Sequence, residues 1–454
     1  MPKTFREWNP EQLLLLPPSV DDFLPSCHLV YFVRDLVRES LDLSEIRASY
    51  EGDLRGKPPY DPTMMVALLL YAYCRGIYSS RAIERSCVER VDFIALTARQ
   101  VPDHATIARF RRRHLDALPG LFVQVLTLCR EAGLASLGHV ALDGTKMKAN
   151  ASKHKAMSYK RMCEEEERLT KEVKELLEKA QETDTCEDDE FGDDRRGDEL
   201  PAGLADKKKR LETIERAKKA VEDRAREKHR LKEEERRRKM IEEEKDPDAP
   251  RRGPKPEHPP GTPKPTDQEN FTDPDSRIMK KSKTSEFLQA YNGQAAVDAD
   301  NQIIVAESLD AVQNDGHVLP AILDQIETNC AGEKPKEFSA DAGYASEENL
   351  GEFESRGIEG YVAVGRQKHG TSSATREKAP PAGTKARAMW IKLRRAGHRS
   401  RYRLRKYVVE PVFGQMKHAR GFRQFHLRGQ AGAQGEWQLL CITHNLLKLA
   451  MKTA

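Results

Sequence analysis

The chain has 454 residues, of which 38% are hydrophobic and 33% are charged, with 77 Lys and Arg residues against 73 Asp and Glu residues. This length predicts two or three domains with a sizeable core, and the composition excludes a collagen-like fibre and a small disulfide-stabilised scaffold. The longest nearly unbroken apolar run, Met64 to Cys74, is too short to cross a bilayer. The eight cysteines are scattered and typical of reduced thiols, so we expect a cytoplasmic protein without a membrane partner.

Residues 1–135 are predicted to form an all-helical domain. Asp61 and Pro62 are a typical N-cap and first residue for the apolar helix that follows them. A later helix, which begins after Asp103, presents Arg109 and Arg112 in a position similar to the second helix of a helix-turn-helix motif. Because short helices are common, DNA binding and plain structural packing are about equally good interpretations of this helix.

The composition of the middle of the chain changes from one segment to the next. Residues 136–152 contain a β-prone apolar stretch that ends in an Asp-Gly turn, which predicts a strand. Residues 153–245 are highly charged, with apolar residues along one face of each of two helices, and they predict an antiparallel helical hairpin inserted into another domain. An extended coiled coil is the alternative, although both apolar stripes are short. Residues 246–266 are rich in proline and predict an extended linker.

Residues 267–454 show a β/α pattern that ends in a helix from about 402 to 420. Together with the strand in 136–152, the predicted order is β-β-β-α-β-α-β-α, which is typical of an RNase H-like fold. We therefore predict an α/β protein in which a mixed sheet flanked by helices forms an RNase H-like catalytic domain. The all-helical N-terminal domain and the helical hairpin insertion complete this prediction.

Positive charge is concentrated in one segment, residues 390–428, which contains 12 Lys and Arg residues and a single acid, Glu410. Aromatic residues alternate with these cations, and such a pattern favours a polyanion with bases that can stack. A solvated basic helix is the simpler alternative. The aromatic residues of this segment are Trp390, Tyr402, Tyr407, Phe413, Phe422 and Phe425.

Three carboxylates stand out by their context rather than by their spacing. Asp143 and Asp341 each end an apolar strand, and Glu410 lies among apolar residues on the basic C-terminal helix. Two-metal phosphoryl transfer requires carboxylates that converge on a rigid platform. A strand-end Asp is often only a turn former, and a single acid among cations is often only an ion-pair partner. The three acids together, in this order on these elements, favour a metal-dependent site.

At this point the sequence resembles a known family, the DDE-type transposases of bacterial insertion sequences, in the subgroup that has the YREK signature. The helical N-terminal region fits the same family, so the resemblance extends over most of the chain. The segments that support it are LDGTKMKANAS (142–152), QENFTDPDSRIMK (268–280), YNGQAAVD (291–298), SADAGY (339–344) and VVEPVFGQMKHARGFRQFHLRG (408–429).

The resemblance implies that Asp143, Asp341 and Glu410 are the catalytic triad and bind the metal. Lys417 follows Glu410 at the spacing of the signature and would contact a DNA phosphate near the cut. The signature's Tyr and Arg keep their mutual spacing but lie one residue further from Glu410 than the pattern requires, and Lys406 occupies the expected Arg position. The expected DNA contacts are Tyr402, Arg405, Lys406, Lys417, Arg420, Arg423, Arg109 and Arg112.

The same resemblance implies two Mg²⁺ (or Mn²⁺) ions, which suit an all-oxygen site. Hydrolysis at the transposon end would free a 3′-OH, and the same site would then direct this group at target DNA. The expected partners are transposon ends, target DNA and a second copy of the chain in a synaptic complex, in the nucleoid-associated cytoplasm. Two alternatives stay open: an RNase H-fold nuclease without strand transfer, and an inactive DNA-binding derivative of a transposase.

Overall fold

The computed structural model describes residues 19–50, 58–191, 204–242, 259–280, 287–312, 316–365 and 378–453. The chain divides into two compact units. The first contains residues 1–147, 292–427 and 431–454, and the second contains residues 148–291 and 428–430. Each unit is described by itself below. The five segments expected from the sequence, and the four boundaries between them, stay predictions.

Helices dominate the N-terminal part of the first unit, as expected. Asp61 accepts a hydrogen bond from the Thr63 amide at 2.7 Å and, with Pro62 following, begins the third helix as predicted. Asp103 caps the sixth helix in the same way through the Thr106 amide, at 2.9 Å. The helices before the first strand are α1 (Leu29–Glu39), α2 (Ser44–Ala48), α3 (Pro62–Cys74), α4 (Ser80–Glu89), α5 (Val91–Thr97), α6 (His104–Arg113) and α7 (Leu118–Glu131).

A mixed sheet forms the centre of the first unit, with the strand order β6-β5-β1-β7-β8. The first strand pairs in parallel with β7, β7 pairs in parallel with β8, and β5 pairs antiparallel with β6. The element order matches the one predicted for an RNase H-like fold, and the α/β fold class is confirmed. The bounds are β1 (His139–Lys148), β5 (Phe287–Asp298), β6 (Ile304–Asp310), α10 (Leu319–Asn329), β7 (Glu337–Ala340), α11 (Glu347–Arg356) and β8 (Glu359–Val362).

The C-terminal part of this unit differs from the single helix expected over residues 402–420. The observed helix α13 (Leu404–Gly414) continues into a π-helical turn, Gln415–Ala419. Two further helices were not predicted: α12 (Lys385–Ala396) and the long α14 (Gln430–Thr453). Polar residues interrupt the apolar periodicity of α14, and this hides a helix that is largely buried.

One of these polar residues, Glu436, connects α14 to the N-terminal helices of the unit. Its side chain is fully buried, and Oε1 accepts hydrogen bonds from Tyr73 Oη at 2.9 Å and from Arg111 Nη1 at 3.3 Å. The other oxygen accepts the amides of His426 and Leu427 at 2.6 and 2.9 Å. Removing one partner from such a buried ion pair destabilises a protein by about 3–5 kcal/mol. The N-terminal helices and α14 therefore share one core.

A second buried carboxylate, Glu307 on β6, faces α14 without a cationic partner among the described residues. Gln434 Nε2 donates to both of its oxygens, at 2.9 and 3.1 Å. Burial raises the pKa of Glu307 to about 7, although the hydrogen bonds from Gln438 and Gln434 act in the opposite direction. The neutral acid is therefore the form that the fold prefers.

The second unit contains the helical hairpin that the charged segment predicts. Helix α8 (Tyr159–Phe191) lies antiparallel to α9 (Leu204–Glu242), and the ion pairs Glu172–Lys207 and Glu165–Arg210 join them at 2.7 and 2.8 Å. The hairpin has a small core of its own, formed by Met162, Leu169, Ile214, Ala217 and Val221. The remaining strands of this unit are β2 (Ala156–Ser158), paired with β3 (Gln268–Asn270), and β4 (Arg277–Lys280), paired with the start of β5.

Two expected features fall mostly outside the described residues. They are the acidic loop between the hairpin helices and the proline-rich linker. No helix in the described ranges is both long and apolar enough to cross a membrane.

The environment of Glu307 predicts a pH-dependent stability. Its folded-state pKa lies above the ordinary value of 4.5, so its contribution is complete below about pH 4.5 and is lost as the pH rises through about 7. We expect Glu307→Gln, which is neutral at every pH, to raise the free energy of unfolding at pH 8.5 by about 1–3 kcal/mol. At pH 5 the variant and the wild type should differ little. Urea denaturation at the two pH values measures both effects.

The matched control is Glu39→Gln, which changes an exposed carboxylate at the end of α1. If Glu307→Gln raised the free energy of unfolding equally at pH 5 and pH 8.5, the prediction would be wrong. Packing, rather than ionisation of Glu307, would then explain the difference in stability between the variant and the wild type.

Candidate active site

Two of the three predicted carboxylates lie side by side at one edge of the sheet. Leu142 on β1 is in register with Ala340 on β7 in a parallel pairing, and an Asp follows each of them. Adjacent strands are about 4.8 Å apart, so Asp143 and Asp341 are neighbours. The residues directly before them, Leu142 and Ala340, are buried and apolar, and they help to hold both backbones in place.

The third carboxylate, Glu410, lies on the exposed face of α13. Val409 and Val412 pack on the opposite, buried side of this helix. The pKa of Asp143 is raised to about 6, mainly by burial; Arg405 acts against this rise, and the negative charges of Asp341 and Glu410 contribute to it. Asp341 and Glu410 are therefore both close enough to act on Asp143. Among the described residues Glu410 forms no ion pair with a Lys or Arg side chain, so it is not a simple ion-pair partner.

The three acids do not converge on a single point. In the described part of the chain no three Asp, Glu, His or Cys side chains are close enough to hold one metal ion. The backbone brings the acids to one edge of the sheet, and a further change of side-chain conformation would be needed to bring them together.

One of the carboxylates, Asp143, forms an ion pair with an arginine of the same chain, Arg405. Arg405 Nη1 lies 2.5 Å from Asp143 Oδ2, and only 12% of the arginine side chain is exposed. The Arg405 guanidinium also lies over the Tyr402 ring, 5.7 Å from its centre. Lys406, which occupies the signature's Arg position by spacing, is exposed instead. The rotation of α13 thus directs Arg405, and not Lys406, to the carboxylates.

Lys417 supports the strand that positions Asp143. Its Nζ donates to Thr145 Oγ1 at 2.5 Å and to the Lys146 carbonyl at 2.9 Å, both just after Asp143 in β1. Burial, together with the charge of Arg423, lowers the pKa of Lys417 to about 8. Lys417 belongs to the π-helical turn, a local widening that is often found at functional sites. Sequence reasoning missed Thr145, because nothing local marks a hydroxyl as the partner of a distant lysine.

The other predicted DNA contacts have different environments. Arg423, Arg109 and Arg112 are exposed. Arg420 points inward, where it donates to Thr443 Oγ1 at 2.8 Å and to the Leu440 carbonyl at 3.2 Å. Because its guanidinium is bonded to α14, Arg420 is left out of the DNA surface proposed below.

The aromatic residues of the basic segment are mostly part of the core. Phe413, Phe422 and Phe425 are buried. The Trp390 ring is half-buried, with the guanidinium groups of Arg387 and Arg394 at 5.0 and 4.6 Å from its centre. Tyr407, one helical turn before Glu410, is 74% exposed. The charge-and-aromatic pattern in the sequence thus mixes core residues with surface residues.

Comparison with known proteins agrees with this geometry. The model described as Transposase domain (DUF772) matches residues 18–113, and the model described as Transposase DDE domain matches residues 260–446. The chain belongs to the DDE-type insertion-sequence transposases. The DDE match contains Asp341 and Glu410, whereas Asp143 precedes it. No curated protein and no solved structure shows significant similarity to the chain.

Membership of this family implies action on DNA and the use of divalent metal ions. The donor chemistry of the site fits such an ion, because its three predicted ligands are carboxylates, and hard cations prefer oxygen. The position of Arg405 also fits, since it shows that Asp143 already accommodates a positive group at 2.5 Å. In the transposase, Arg405 and an incoming metal ion would therefore compete for the same carboxylate.

This competition predicts the effect of Arg405→Gln on metal binding. We expect the variant to bind Mn²⁺ about tenfold more tightly, because a unit charge close to a divalent ion is worth at least ~1.4 kcal/mol. Mn²⁺ titration of the DNA-free transposase, followed by electron paramagnetic resonance, measures this affinity.

Arg405→Lys keeps the positive charge and is the matched control, with an affinity expected near that of the wild type. Weaker Mn²⁺ binding by Arg405→Gln would contradict the prediction and would show that the guanidinium organises Asp143 for the metal.

Proposed function

We propose that this transposase cuts DNA at the ends of its element and joins the freed 3′-OH to target DNA at a site formed by Asp143, Asp341 and Glu410. The observation that supports this most strongly is the parallel register of Leu142 with Ala340, which makes Asp143 and Asp341 neighbours. The influence of Glu410 on the pKa of Asp143 adds the third acid to the same region.

The protein residues have distinct proposed roles. Asp143, Asp341 and Glu410 would hold two Mg²⁺ or Mn²⁺ ions. Bound metal would supply activation of the attacking water and stabilisation of the leaving oxygen. The buried strands β1 and β7 keep the two Asp backbones rigid, and Lys417 would hold the part of β1 that follows Asp143 through Thr145.

A DNA surface is proposed around this edge. Arg405 would transfer from Asp143 to a DNA phosphate when metal binds, because a guanidinium matches phosphate as well as it matches carboxylate. Tyr402 would move with it, since the two side chains are stacked. Lys406, Lys417 and Arg423 would contact the backbone near the cut. The exposed Arg109 and Arg112 would contact DNA from α6. We place this activity in the nucleoid-associated cytoplasm.

The decisive test is an in vitro reaction with Mn²⁺, a labelled fragment of the element's own end and a supercoiled target plasmid. We expect joined products from the wild type and none from Asp143→Asn or Glu410→Gln, because each substitution removes a charged ligand. End binding, measured by gel shift in EDTA, should stay largely intact in both variants.

Glu131→Gln, an exposed carboxylate at the end of α7, is the control and should join DNA like the wild type. Nicking without joining by the wild type would favour the nuclease alternative. Tight binding with neither reaction would favour an inactive DNA-binding derivative, and cleavage retained by Asp143→Asn would exclude the proposed triad.

We also propose that the hairpin of α8 and α9 takes part in pairing two transposon ends in a homodimer. Apolar side chains are exposed along α9, including Leu231 and Ile241, although the hairpin has its own core. We expect deletion of residues 160–240 to impair the pairing of two labelled ends in a gel-shift assay and to spare metal-dependent nicking.

Unchanged pairing in the deletion variant would contradict this role. A second variant, Leu231→Ser with Ile241→Ser, keeps both helices and removes only exposed apolar side chains. It shows whether these side chains, rather than the hairpin as a whole, are needed for pairing.

A further inference from the structure

A cavity of about 470 Å³ opens among the N-terminal helices of the first unit. It is lined by residues of α1, α2, α5 and the first turns of α3, and all of them lie within the range of the N-terminal family match. Its size is within the range of small-ligand pockets. None of the residues assigned to the active site or to the proposed DNA surface lines it.

Positive charge is concentrated at this cavity. Arg34, Arg38 and Arg47 line it, whereas Asp61 is the single acid in the lining. The Asp61 carboxylate caps α3, where it accepts the Thr63 amide at 2.7 Å, and its negative charge offsets part of the charge of Arg47. The cavity therefore has an excess of cations, which favours an anionic ligand.

Within the described residues Arg34 and Arg47 have polar partners, and Arg38 has no ion-pair partner. Arg34 is paired with its neighbour Asp35, at 2.7 Å. Arg47 donates to the hydroxyl of Thr63 at 2.8 Å. Arg38, which lies one turn after Arg34 on the same face of α1, is exposed and has no ion-pair partner in the described ranges. A planar guanidinium with unused donors is well suited to a phosphate group.

An independent observation comes from Thr97, which lines the same cavity. Its side chain is fully buried, and Oγ1 has no hydrogen-bond partner among the described residues. Other helical threonines of this chain donate to the carbonyl four residues earlier, as Thr127 and Thr443 do at 2.9 and 2.7 Å. A buried hydroxyl without a partner is unfavourable, so Thr97 indicates a ligand that completes its hydrogen bonding.

We infer that this cavity is a phosphate-binding pocket that holds a backbone phosphate of DNA. That the pocket binds phosphate is inferred from the cavity alone. That this phosphate belongs to DNA rests on the proposed function. Arg38 and Arg47 lie at the exposed side, where a duplex can reach them. The rest of the lining includes the apolar Met64, Ala67 and Leu96 and the amide side chain of Gln100. Arginine contacts to a phosphate fix the position of DNA without reading its sequence.

The test compares the wild type with Arg38→Gln/Arg47→Gln in EDTA, so that no cleavage occurs. Fluorescence anisotropy gives the Kd for an end-sequence duplex and for a scrambled duplex at several salt concentrations. We expect the double variant to bind both duplexes about tenfold more weakly, which is the scale of one charged hydrogen bond. The slope of log K against log salt should become shallower by about 1–2.

Arg85→Gln is the matched control, because Arg85 is an exposed arginine of α4 that does not line the cavity. Thr97→Val removes the buried hydroxyl at nearly constant shape, and Thr97→Ser restores it. We expect Thr97→Val to weaken duplex binding without lowering the melting temperature, and Thr97→Ser to recover binding. Equal melting temperatures also show that each variant is folded.

A second arm uses inorganic phosphate alone, with thermal stabilisation of the DNA-free transposase as the readout. Stabilisation that is lost in the Arg38/Arg47 and Thr97→Val variants, together with weakened duplex binding, supports the proposal. Lost stabilisation with unchanged duplex binding overturns the assignment to DNA and leaves a pocket for a free phosphate compound. Unchanged stabilisation and unchanged duplex binding overturn the pocket itself. These outcomes are independent of Asp143→Asn, which tests the proposed function and leaves the cavity intact.

Discussion

The buried carboxylate of Glu436 is the contact on which the first unit depends, because it joins helices from both ends of the chain. It accepts hydrogen bonds from Tyr73 and Arg111 in the N-terminal helices and from two amides at the end of the basic segment. Burial opposes ionisation, yet these partners hold the pKa of Glu436 below its ordinary value. The N-terminal helices therefore pack in the same unit as the sheet that carries the proposed active site. We expect a displacement of these helices to displace the sheet as well.

Repulsion between the carboxylates of Asp143 and Asp341 is partly offset by a nearby arginine. Paired parallel strands keep Asp143 and Asp341 adjacent, although the charge of Asp341 disfavours the ionisation of Asp143. Arg405 offsets part of this charge at 2.5 Å from Asp143. In the proposed mechanism a metal ion would take over this task, and the released guanidinium would become available for DNA. Charge balance would thus couple metal binding to DNA binding.

The fold class could be predicted, and the triad could be proposed, because their signals are local. An apolar stretch followed by Asp is visible in the sequence at both 143 and 341, and alternating strands and helices predict the order of the sheet. The turn expected at Asp143 and Gly144 was wrong, because β1 continues through both residues to Lys148. Helix α14 could not be predicted from its pattern. Its buried residues include Glu436, Gln438 and Asn445, which lie on different sides of the helix and have hydrogen-bond partners far away in sequence. Periodicity of apolar residues cannot detect a helix that buries polar side chains in this way.

The sequence by itself determined the α/β class, the helical hairpin insertion and the family, and it led to the proposal of three acids, since each depends on residue types and on order along the chain. Only the tertiary structure decided that Arg405 rather than Lys406 faces Asp143 and that Arg420 points into the core. It also decided that Thr97, whose hydroxyl has no partner among the described residues, lies at a cavity lined by three arginines. These facts depend on the rotation of a helix or on contacts between distant segments. Spacing along the chain does not contain that information.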